Sequence, residues 1–156
     1  MTAALRLSVQ RSDVPVPESH RTALRLSVRL PSELSVLEEA VDVVARHCLA
    51  EGLSARQARF QLRVALCEAL ANAIIYGNRQ DPAKMVDVHV TITEPAFTVE
   101  VVDEGNGCDP TCLATPVLPD DLEAAGGRGL FLIRQLVDEV TFNARGNAIC
   151  MVLRRA

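Results

Sequence analysis

A change in the period of the apolar residues limits what this chain can fold into more than any other feature of its sequence. From Ser32 to Glu51, Leu34, Leu37, Val41, Val44 and Cys48 recur at helical spacing, and Gly52 stands where such a helix would stop. Ser54 opens a second helical stretch. Gln57 follows three residues later, as in a capping box, and Phe60, Val64, Cys67, Ala71 and Ile74 form a stripe that runs up to Gly77. The period then drops to two: Val86, Val88, Val90 and Ile92 alternate with Asp87, His89, Thr91 and Thr93, and after Glu94-Pro95 the pattern resumes at Phe97, Val99 and Val101. This predicts a β-hairpin. An irregular run from Asp103 to Ala125 leads into a third helix, about Gly129 to Val137, and then into strands near Val140 to Ala144 and Ala148 to Leu153, joined at Gly146-Asn147.

The string ALRLSV occurs at Ala4 to Val9 and again at Ala23 to Val28. Both copies alternate as half-buried strands do. Leu24 to Leu30 is expected to be the first core strand, and residues 1–22 either a mobile arm or an extra edge strand ahead of a domain over 23–156. The order β, α, α, β, β, loop, α, β, β predicts an α+β fold with helices on one face of a mixed, mostly antiparallel sheet.

Composition narrows the function classes. With 156 residues, 49% of them apolar, the chain has the makings of one domain with a real core. It has no run of ~20 apolar residues to span a membrane and no basic-then-apolar leader, so a cytoplasmic location is expected. Five cysteines in such a chain are expected to be free thiols, and Cys108 and Cys112 lack a second pair to complete a zinc site. A net charge of −4 and 3% aromatic residues, with no Lys/Arg-rich run, argue against direct nucleic-acid binding.

Three short motifs carry chemistry. In EALANAIIYGN, Glu68, Asn72 and Tyr76 are spaced four apart and fall on one stripe of the second helix, a carboxylate and an amide held side by side. In Asp103-Glu104-Gly105-Asn106-Gly107 the aspartate ends a strand as a fixed acceptor suited to an exocyclic amine such as adenine N6, and Gly105 and Gly107 free the backbone to turn and approach a flat ligand. In Gly126-Gly127-Arg128-Gly129-Leu130 glycines precede a helix whose unpaired N–H groups and positive dipole end suit a phosphate. Alone, the first motif is most often a polar helix face and the second a turn, while the third is as often a flexible junction. Their joint order and spacing are far more specific. No GxxxxGK[ST] is present, and Gly105-x-Gly107 leads into a loop, so the P-loop and Rossmann readings fail.

In that order and spacing the sequence resembles, from about Leu24 to its end, the ATPase superfamily of gyrase, histidine kinases and MutL. GGRGLFLIRQLVDEV is particularly similar to the bacterial anti-sigma serine kinases of the SpoIIAB and RsbW type. The resemblance implies a Bergerat-type two-layer α/β sandwich, ATP with Mg2+, and a lid at about Cys108 to Ala125. It also implies Asp103 on adenine, Asn72 on magnesium, Glu68 as general base and the Gly126 to Gly129 turn on phosphate. Family members often carry His where this chain has Tyr76. The implied partners are an anti-sigma antagonist that offers a serine, a sigma factor, and a second copy of the chain, with Leu24 to Leu30 and the first helix as contact surfaces.

Other readings share the ATP site. A histidine-kinase catalytic domain would go with a helical hairpin bearing a phosphoacceptor His, whereas His20, His47 and His89 fall in a polar arm, a helix and a strand. A gyrase- or MutL-like ATPase would need a following transducer domain, and three residues follow Leu153. A nucleotide-gated binding module without catalysis remains the alternative from another class.

Overall fold

The computed structural model describes residues 5–16, 19–107 and 127–156, with side chains described for all but residues 11–16, 19–23 and 127. Gly126 and the expected lid over 108–125 lie outside the described residues. Six strands form one sheet: β1 Arg6–Val16, β2 Ser19–Pro31, β3 Met85–Ile92, β4 Ala96–Val102, β5 Glu139–Phe142 and β6 Ala148–Arg154. Their spatial order is β1-β2-β3-β4-β6-β5. Every pairing is antiparallel, so the mixed sheet expected from the sequence is purely antiparallel among the described residues.

The register explains why the two-residue period was so clear. Leu24, Ile92, Phe97 and Leu153 lie opposite one another in one row across the sheet, and Leu26, Val90, Val99 and Met151 in the next. Val28, Val88 and Val101 form a third. All of these are buried, because side chains that share a register position point to the same face. Their sequence neighbours, Arg25, Ser27 and Arg29 on β2 and Asp87, His89 and Thr91 on β3, occupy the other, polar face.

Helices cover the apolar face. After a 3₁₀ turn at Leu34–Val36, α1 Leu37–Ala50 buries Ala40, Val41, Val44, Ala45 and Cys48. The first helix therefore starts later than Ser32, whose side chain is committed elsewhere. The capping box is present: Ser54 Oγ accepts the Gln57 N–H at 3.1 Å and Gln57 Oε1 accepts the Ser54 N–H at 3.2 Å. Gln57 Nε2 also donates to the Arg154 carbonyl at 2.6 Å, which ties this helix start to β6. The long second helix is a regular segment, α2 Arg63–Asn72, with wider π turns at Gln57–Leu62 and Ala73–Gly77. Its Leu66, Leu70 and Ile74 are fully buried. The third helix, α3 Gly127–Leu136, packs Leu130 and Ile133 into the core. Within the described residues it runs from Gly127, not from Gly129, and Gly129 belongs to its first turns.

β2 is hydrogen-bonded on both sides, to β1 and to β3. One further expectation needs adjustment. The last hairpin is shorter than expected on its first arm, which ends at Phe142 because Asn143 turns back: its Oδ1 accepts the N–H groups of Gly146 and Asn147. Cys48, Cys67 and Cys150 are free thiols, and burial pushes the Cys48 thiol up to about 12, so it stays protonated at neutral pH. Cys108 and Cys112 lie outside the described residues. No helix among the described residues is long and apolar enough to cross a membrane.

Candidate functional site

α2 is the element on which the three sequence motifs meet. Glu68 and Asn72 sit one turn apart on its half-buried side, and α3 packs against them through Gly129. A Cβ on Gly129 would lie 2.7 Å from Glu68 Oε2 and 3.2 Å from Asn72 Nδ2, so α3 approaches the ends of both side chains closely at this glycine. Gly129, in the first turns of α3, therefore stands against the carboxylate and the amide. Arg128 is exposed and Leu130 is buried, which makes Leu130 an anchor of α3 in the core. Tyr76 lies on the π turn that follows Asn72 and is exposed.

The same helix reaches the second motif at its far end. Asp103 leaves β4 with its main chain paired to Asn147: the Asp103 N–H donates to the Asn147 carbonyl at 2.9 Å, and Asn147 Nδ2 donates to the Asp103 carbonyl at 2.8 Å. Its carboxylate rests against Gly77, in the place a Cβ there would take, and Oδ1 accepts the Gly105 N–H at 2.8 Å. Gly105 is buried, and a Cβ on it would collide with the Gly77 carbonyl. Gly107 has a φ of +75° and lies so close to the Arg145 carbonyl that a side chain there would run into it. Gly105 and Gly107 thus serve close backbone packing at this turn. Gly105→Ala is expected to lower stability by about 1 to 3 kcal/mol, because the methyl meets main chain that cannot swing aside. A denaturant midpoint equal to wild type would show that the contact yields freely.

Burial of the half-exposed Asp103 raises its pKa above the ordinary carboxylate value; the Gly105 N–H and the charges of Arg145 and Lys84 pull the other way without cancelling the rise. Lone-pair capacity remains on this carboxylate beyond the Gly105 bond, as an acceptor for an amine requires.

One residue of this site was overlooked in the sequence. Asn78 is 0% exposed and fully bonded. Its Oδ1 accepts the Glu104 N–H at 2.8 Å, and its Nδ2 donates to Ser32 Oγ at 2.8 Å and to the Met85 carbonyl at 3.0 Å. Ser32 Oγ in turn donates to the Lys84 carbonyl at 2.7 Å, and the Glu104 carboxylate accepts the Met85 N–H. One amide thereby joins the end of the second helix, the start of β3, the entry to α1 and the turn that carries Asp103. A polar residue directly after a helix-ending glycine was the available signal, but two of its three partners lie 26 and 46 positions away.

Groups of three or more acidic, His or Cys side chains that could cage a metal ion are absent among the described residues. The donors on α2 suit a cation that takes few protein ligands, as magnesium does when phosphate and water supply the rest. Gly126 lies outside the described residues. A family model described as a histidine kinase-like ATPase domain matches residues 30–153, a stretch that holds every site residue named above. No curated protein matches the chain.

Proposed function

The chain belongs to the histidine kinase-like ATPase domains, an ATP-binding family, and from that premise we propose that it is an ATP-dependent serine kinase of the anti-sigma type. In this reading it phosphorylates a serine of an antagonist protein and, when free of that protein, sequesters a sigma factor in the cytoplasm. The observation that carries the reading is the packing of Gly129 on Glu68 and Asn72, which sets a carboxylate and an amide beside the start of a helix. A regulatory module that only bound nucleotide would need no carboxylate there.

Roles follow from the chemistry of each group. Asp103 accepts from the adenine amine, and Gly105 and Gly107 keep side chains away from the base. Gly126, Gly127, Arg128, Gly129 and Leu130 form the helix start that receives phosphate, where N–H groups and the helix dipole favour an anion. Asn72 holds magnesium, which when bound neutralises phosphate charge. Glu68 takes the proton of the partner serine as its oxygen bonds to the γ-phosphorus and the bond to the β–γ bridging oxygen breaks, so that ADP leaves. Labelled ATP with a serine-bearing antagonist tests the assignment: transfer of label to serine supports it, and nucleotide-dependent partner binding without any transfer supports the module instead.

Asp103 gives the adenine assignment a pH signature. The fold disfavours its charged form, so this residue adds stability below its unfolded pKa and loses that contribution as pH rises through the higher folded value. Adenine binding runs the opposite way, because only the carboxylate is an acceptor at both oxygens. Acidification from neutral pH is expected to weaken ATP while this residue's contribution to stability grows. Asp103→Asn is expected to lose about 1 to 3 kcal/mol of ATP affinity at neutral pH, with no loss of stability, because the amide can turn an N–H toward the amine. Calorimetric titrations of both proteins across pH decide it, and equal ATP affinities would remove Asp103 from the site.

A further inference from the structure

The face of the sheet turned away from the helices carries a depression of about 390 Å³ that reaches from β1 to β4. Register builds it. Leu26 and Val90 lie opposite each other and send their side chains into the core, so only their main chain is left to floor the space. Short hydroxyl side chains flank that floor: Ser27 and Thr91 beside it, and Ser8 opposite Ser27 on β1. His89 is tied in on one side, with Nδ1 3.1 Å from Ser27 Oγ. Longer groups form the rim. Arg25 on β2 stands at one corner with Gln10 opposite it, and Glu100, opposite His89 on β4, stands at the other. Among the described residues no ion pair holds Arg25 or Glu100, whereas Arg29 on the same face has Asp87 at 3.9 Å.

We propose that this depression binds a small zwitterion of dipeptide size, with its carboxylate at Arg25 and its ammonium at Glu100. The lining chemistry argues against the alternatives. The side chains that the described residues turn into the space are all polar or charged, so an aliphatic or aromatic ligand gains little by burial there. A simple anion drawn to Arg25 meets the repulsion of Glu100, and a simple cation drawn to Glu100 meets that of Arg25. A ligand with both charges satisfies both corners, and a guanidinium suits a carboxylate in particular. Spacing selects further. β3 separates the two strands, which puts their axes about 10 Å apart, and Arg25 and Glu100 are offset by two positions along them. A dipeptide or an ω-amino acid carries its charges several bonds apart, as that diagonal requires. Gln10, Ser27 and Thr91 can then serve an amide between the two ends. Because α2 and α3 cover the opposite face of the sheet, the site stands apart from the nucleotide assignment and leaves ATP free to bind.

Glycylglycine and ε-aminocaproate, titrated into the isotopically labelled full chain, are expected to give saturable NMR shifts at the amides of Ser8, Ser27, His89 and Glu100, with ATP absent or present. Blocked forms that lack one charge, N-acetylglycylglycine and glycylglycinamide, should bind about 10-fold more weakly or worse, since each forgoes a charge-assisted hydrogen bond. Arg25→Gln and Glu100→Gln should weaken glycylglycine by a similar factor. Thermal midpoint and ATP affinity, read on the same samples, should stay close to wild type. The blocked ligands keep the test independent of how the variants fold. Absence of a saturable shift on this face with either zwitterion would overturn the inference. Equal affinities for glycylglycine and its two blocked forms would overturn it as well, by showing that the paired charges of Arg25 and Glu100 do not select the ligand.

Discussion

Glu68→Gln is expected to keep ATP affinity within a few-fold of wild type while slowing phosphate transfer to the partner serine by about 10² to 10⁴. In phosphoryl transfer most of the protein's work is positioning and charge neutralisation, and a carboxylate is needed chiefly to orient the nucleophile and take its proton. Glutamine preserves the shape of the side chain packed beneath Gly129, where Glu68 Oε2 would come within 2.7 Å of a Cβ. It removes only the proton acceptor. Asn72, one turn further along α2, should behave differently: Asn72→Ala removes the amide beside the same helix start and should weaken magnesium-ATP binding as well as transfer. Parallel titrations and single-turnover assays separate the two residues. Full transfer activity in Glu68→Gln would falsify its role as base, and loss of ATP binding in that variant would assign the carboxylate to the nucleotide instead.

Asn78→Ala is expected to be the most destabilising single change in the site, by about 3 to 4 kcal/mol. The amide makes three hydrogen bonds in a fully buried position, to Glu104 N–H, Ser32 Oγ and the Met85 carbonyl. Truncation leaves a part-buried N–H and a part-buried carbonyl without those partners and opens a void between the helix end and the Asp103 turn. Ser32 keeps its bond to the Lys84 carbonyl, which limits the damage at that end. Because Glu104 directly follows Asp103, ATP affinity should fall together with stability, whereas Gly105→Ala acts through main-chain crowding alone. Asn78→Asp makes a sharper control. It retains an acceptor for the Glu104 N–H but replaces the donor facing the Met85 carbonyl with an oxygen, so it should be destabilised despite near-identical shape. Urea unfolding of the three proteins provides the comparison, and a wild-type midpoint for Asn78→Ala would show that water replaces the amide without penalty.

The chain's two periods by themselves determined the elements and the order in which they occur. Alternation at Val86 to Ile92 and Phe97 to Val101 reflects one face of a sheet against a core, and helical spacing from Val41 to Cys48 reflects a helix laid on that face; on the second helix the buried side is Leu62, Leu66, Leu70 and Ile74, not the stripe led by Phe60, which is 53% exposed. The capping box at Ser54 and Gln57 was legible for a similar reason, since its partners lie three residues apart. Glu68, Asn72, Asp103 and the glycines could be picked out as candidates because residue type and spacing along one strand end or one helix turn are local properties. What tertiary structure alone decided was which of these residues touch. Gly129 lies against Glu68 across two helices, Gly105 against Gly77 across a strand end and a helix end, and Asn78 gathers two main-chain groups and a hydroxyl from three segments. Strand direction belonged to the same class: a pattern of alternating side chains is identical for parallel and antiparallel neighbours, so a mixed sheet stayed open until the pairings were seen. So did the fate of the first ALRLSV copy, which became β1 beside the second. Its alternation prescribes a half-buried strand, but whether helices reach far enough to bury Leu7 and Val9 depends on where the helix layer ends, and no local pattern encodes that.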